Sequence, residues 1–118
     1  RYQELLKAGI NVCLGTDSIV NLPESQASGD SARITPLDDA RLLARRDAAD
    51  PKQLLEMITV RGAGALGLDP TRFELKSGAT VAGLCAVQIP APGARMAPDP
   101  GELIRHLFDS ETTPERLL

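Results

Sequence analysis

The segment that most limits what this chain can fold into is the apolar run Ile10, Val12, Cys13 and Leu14, together with what flanks it. Before it, residues 1–8 have helical composition, and Gly9 supplies the left-handed residue that commonly closes a helix. After it, Gly15-Thr16-Asp17-Ser18 ends the run in polar residues. A short, nearly continuous apolar run suits a strand covered on both faces, as in a parallel sheet with helices outside. Helix, glycine, buried strand and polar end make one step of an α/β fold.

Downstream, residues 21–34 are polar, hold Gly and Pro, and show no periodicity, so they read as a loop. Thr35-Pro36-Leu37-Asp38 then carries the signals of a helix start: a capping hydroxyl, proline in the first turn, and a carboxylate at the positive helix end. That helix places Leu37, Ala40, Leu43 and Ala44 on one face. Asp50-Pro51-Lys52-Gln53 repeats the start signal, with Gln53 spaced for a capping box. A third short helix follows Thr59 and ends at Gly67. Gly62 and Gly64 lower its propensity by about 1 kcal/mol each relative to Ala, and close helix packing is the expected reason.

Leu75-Lys76-Ser77-Gly78 reads as a turn, and residues 81–89 as a strand. Pro90, Pro92, Pro98 and Pro100 are expected to break regular structure. A last amphipathic helix is expected over Glu102 to Phe108, with Leu103, Ile104 and Leu107 inward. The chain starts in helical sequence and stops at PERLL without a cap, so both ends read as cut.

Composition narrows the function classes. Among the 118 residues, 3% are aromatic and none is Trp, so the core must be built from aliphatic side chains. The net charge of −3, with both signs interspersed and no basic stripe, argues against nucleic acid as a partner. No secretory leader pattern and no run of membrane-spanning length is read. Cys13 and Cys85 each lie in an apolar run without CxxC spacing, which predicts buried, reduced thiols and a cytoplasmic setting.

Asp17 is the leading candidate for chemistry. A carboxylate directly after a buried strand is costly unless a metal or a hydrogen-bond network compensates it; its alternative role is a turn bond through its side chain. His106, the single histidine, has no second His or Cys in a neighbouring turn, and reads as a surface residue. Ser18 has no nearby histidine to activate it, so a serine-hydrolase triad is weakly supported. GAGALG neither follows a strand nor has dinucleotide spacing.

Three ordered stretches resemble one family. LLKAGINVCLGTDS resembles the last barrel strand of the amidohydrolase superfamily, in its cytosine deaminase, guanine deaminase and chlorohydrolase-like branch. LLEMITVRGAGALGLD resembles the T-x-x-G-A-x-A-L-G-L helix downstream of that strand, and LKSGATVAGLCAV a strand of the flanking sandwich. The resemblance implies the last βα step and outer helices of a (β/α)8 barrel in residues 1–73. It implies part of a small flanking β-sandwich, with a C-terminal tail, in 74–118.

It also implies that Asp17 binds a divalent metal, zinc with iron or manganese as alternatives, and acts as general base on the metal-bound water. Ser18 and Asn21 would lie in the following loop, within reach of a small nitrogen-containing substrate. The implied reaction is hydrolysis of C–N bonds other than peptide bonds. The family's His-x-His pair and middle-strand histidines have no counterpart here, and Gly83 stands where an Asp is usual. The remaining ligands are therefore expected upstream in a parent chain, the expected partner is the rest of that chain or a homo-oligomer, and the piece alone is expected to be inactive. The competing reading is a truncated or decayed non-catalytic domain with a structural or association role.

Overall fold

A computed structural model describes residues 2–16, 34–73, 75–78, 80, 83–88 and 99–117. Helix α1 is Tyr2–Lys7. Its end is a Schellman motif: Gly9 N–H donates to Leu6 O (3.0 Å) and Ile10 N–H to Leu5 O (3.0 Å), with Gly9 at φ 78°. The glycine therefore performs the closing role that the sequence assigns to it.

Residues 10–16 then run on without a strand partner among the described residues. Val12 and Leu14 are half-buried and pack against the core, whereas Ile10 is 49% exposed and Cys13 is exposed. This alternation corrects the expected doubly covered strand: one face is half-buried and the other is open. It also corrects the expectation for Cys13, which occupies the open side. Leu14 N–H donates to Met57 O (3.1 Å), and Asn11 Nδ2 donates to Arg61 O (3.1 Å), so helices rather than a neighbouring strand hold this segment.

Three helices form the centre. α2 is Pro36–Asp47, α3 is Pro51–Ile58 and α5, later in the chain, is Pro100–Asp109; each packs against the other two. Their starts follow one rule, with proline in the first turn after a capping residue. At α2, the Thr35 N–H (2.9 Å) and hydroxyl (2.8 Å) both donate to the Asp38 carboxylate. At α3, the Asp50 carboxylate accepts from Lys52 N–H (3.1 Å), so this cap works through Asp50 and not through a box with Gln53. At α5, Asp99 accepts from Gly101 N–H (3.0 Å) and Glu102 N–H (3.3 Å). Pro100 thus opens a helix where a break was expected.

The buried cluster is Leu37 and Ala40 of α2, Leu54 and Met57 of α3, and Phe108 of α5, so one of the few aromatic side chains enters a core that composition predicted to be aliphatic. Leu43 and Ala44 complete the expected face of α2 as half-buried neighbours. On α5 the inward stripe is Ile104, Leu107 and Phe108, while Leu103 is 39% exposed. Leu103 lies about 100° around the helix from Ile104, which turns it off the stripe centred on 104, 107 and 108.

Helix α4, Val60–Ala65, follows α3 and also ends in a Schellman motif. Leu68 N–H donates to Ala63 O (2.9 Å) and Gly67 N–H to Gly64 O (3.1 Å), with Gly67 at φ 70°. Close packing does not account for Gly62. Among the described residues, a Cβ there would meet only Met57 O at 3.6 Å, an ordinary contact. A 3-10 turn, Pro70–Phe73, comes next, and Gly78 takes φ 79° in the expected turn.

The expected strand over 81–89 is described only in part, since residues 81, 82 and 89 lie outside the described set. Within it, β1 is Cys85–Ala86 and pairs antiparallel with β2, Glu115–Arg116, Cys85 opposite Arg116 and Ala86 opposite Glu115. Leu117 N–H extends the pairing to Leu84 O (2.8 Å). Cys85 points outward from this ribbon and is exposed, which corrects the expectation of a buried thiol. The described residues thus form helices packed on one another plus a small antiparallel ribbon, and not the parallel sheet expected of an α/β step.

Candidate functional site

Asp17, Ser18 and Asn21 lie outside the described residues. The structure does describe both flanks of the stretch that carries them. On the near side, Leu14 is anchored to the last turn of α3 through Met57 O, and Gly15 and Thr16 are exposed. On the far side, Ile34 is 39% exposed and Thr35 is locked to Asp38 at the start of α2. Residues 17–33, with most of the expected loop over 21–34, lie outside the described residues; what is described is the segment docked on α3 before them and the capped start of α2 after them.

The acidic residues at that N-terminus differ in their surroundings. Asp38 meets Thr35 and also Arg41 Nη1 at 3.3 Å. Asp39 has its pKa raised, by burial first and by the neighbouring Asp38 charge second.

Arg41 is the side chain that sequence reasoning overlooked. It is 2% exposed and sits in the apolar stripe of α2, one residue after Ala40. Nε and Nη2 donate to Leu107 O (3.2 and 3.1 Å), and Nη2 also to Ser110 Oγ (3.0 Å) and Thr112 O (3.0 Å). The guanidinium thus meets the carbonyl end of α5, where the helix dipole favours a cation. The legible signal was an arginine at the i+4 position from Leu37 on a face otherwise apolar. Its task is to tie the C-terminal segment to α2.

His106 is on α5, with its side chain 34% exposed, and its Nε2 is 3.9 Å from Glu102 Oε1. No group of three or more His, Cys, Asp or Glu side chains able to hold a metal occurs among the described residues. The described residues do not make a metal site by themselves, and Asp17 remains a single candidate ligand. Tyr2 is a separate polar anomaly: its buried hydroxyl lies near Gln3 and Asp47 but makes no well-formed hydrogen bond among the described residues, and burial is the main cause of its raised pKa.

Comparison with known families decides the relationship. The model of the Amidohydrolase family matches residues 2–72, more than half of the chain. The chain belongs to the amidohydrolase family. This matched region takes in α1, the segment ending at Asp17, and α2 to α4. Amidohydrolases are hydrolases of a TIM-barrel family that typically bind a divalent metal. No curated protein and no solved structure matches the chain. Among the described residues of this amidohydrolase, no helix is long and apolar enough to cross a membrane. Residues 73–118, which bring Phe108 and β2, lie beyond the family match.

Proposed function

We propose that this chain supplies Asp17 as metal ligand and general base to a hydrolase acting on C–N bonds other than peptide bonds. The substrate is a nucleobase-like ring whose exocyclic amine is removed, or a cyclic amide or amidine, as in the cytosine deaminase, guanine deaminase and chlorohydrolase-like branch. The observation that carries this reading is that Asp17 falls inside the amidohydrolase match, directly after the segment 10–16. A zinc, iron or manganese ion would supply the nucleophilic water at neutral pH. The Asp17 carboxylate would take the proton from that water, a role worth about 10²–10⁴-fold in rate. Ser18 and Asn21 are proposed to touch the substrate.

The other metal ligands come, on this reading, from residues outside these 118. The single histidine is on α5 at the far end of the sequence, and typical catalytic zinc sites need about three protein ligands. Residues 1–73 are then the barrel portion, and 74–118 belong to the flanking sandwich and tail. A cytoplasmic setting is proposed from the two free thiols.

The sparse ligand set favours a second reading, in which the chain is a truncated or decayed domain with an association role. An assay of the complete protein against exocyclic-amine heterocycles, cyclic amides and cyclic amidines separates the two. Ammonia release or ring opening that stops with a chelator supports the hydrolase. A metal-loaded, folded protein inert toward all three classes supports the association role.

A further inference from the structure

We draw no further inference here: the strongest candidate, the exposed apolar surface that Leu66, Leu68, Phe73 and Leu75 present after α4, is an unpartnered face, and nothing in the structure shows what covers it.

Discussion

Arg41 donates two hydrogen bonds to the carbonyl of Leu107, from Nε at 3.2 Å and from Nη2 at 3.1 Å, across 66 positions of sequence. That contact joins the family-matched region to a helix outside the match. The same guanidinium reaches Ser110 and Thr112, so one buried side chain fixes the whole exit from α5. Arg41→Met would keep much of the stem's packing and remove every donor. Thr112 O would lose the donor that Arg41 provides, and the local cost is about 2 kcal/mol, or roughly 30-fold in the opening equilibrium. Hydrogen exchange and limited proteolysis should show faster opening of residues 110–117, with Arg41→Lys intermediate because it loses the planar fork. Unchanged protection in Arg41→Met would mean that the clamp contributes nothing.

Two helical positions carry the wrong residue for their backbone. Ala48, at the C-cap of α2, adopts φ 48° and ψ 38°, a left-handed conformation that suits glycine. Gly62 lies within α4, where an added Cβ has room. Ala48→Gly and Gly62→Ala should each stabilise their helix by about 0.5–1 kcal/mol, or roughly 2- to 5-fold slower local amide exchange. Faster exchange in Gly62→Ala would point to a packing partner for that face.

Two aspartates respond to pH with opposite sign. Asp69 accepts from the Thr71 hydroxyl (2.8 Å) and the Thr71 N–H (3.0 Å), which holds its pKa below the usual 3.8. Its contribution is present above 3.8 and is lost as pH falls through the lower folded value. The pKa of Asp39 is raised, so the charged form penalises the folded state above the raised value and not below 3.8. Protection at the 3-10 turn, measured relative to the intrinsic exchange rate at each pH, should therefore fall on acidification, and Thr71→Ala should flatten that dependence. Asp39→Asn should protect α2 at neutral pH and match the wild type once the carboxyl is protonated. Equal pH profiles in wild type and variants would contradict these assignments.

The isolated 118-residue chain is expected to be poorly stable as a monomer. Its described buried hydrophobics are Leu37, Ala40, Leu54, Met57, Ala63 and Phe108, while Leu66 and Leu75 are 78% and 82% exposed. So small a core leaves little margin over the conformational entropy of the chain. The expanse of exposed leucine favours association. Sedimentation with thermal melting should show self-association or no cooperative transition. A sharp, reversible melt of a monomer would contradict the expectation.

Much of the helical part was legible in the sequence because its signals are local. The proline starts at 36 and 51 and the glycine stops at 9 and 67 need only neighbours along the chain. What was not legible depended on distant partners. The open face of 10–16 follows from the lack of a paired strand among the described residues, and it turns Cys13 outward. The pairing of Cys85–Ala86 with Glu115–Arg116 joins segments 30 positions apart, the second with no strand pattern of its own. The inward turn of Phe108 and the burial of Arg41 arise together, when α5 packs on α2. The family was legible in the motifs around Asp17 and Gly62, whereas the geometry of Asp17 itself lies outside the described residues.

The most direct test is metal content and turnover of the complete protein with Asp17 and with Asp17→Asn, each reconstituted with zinc, iron or manganese. Loss of an ionised ligand and base predicts weaker metal retention and turnover reduced by about 10²–10⁴-fold, with folding preserved by circular dichroism. Full metal occupancy and unchanged turnover in Asp17→Asn would contradict the account.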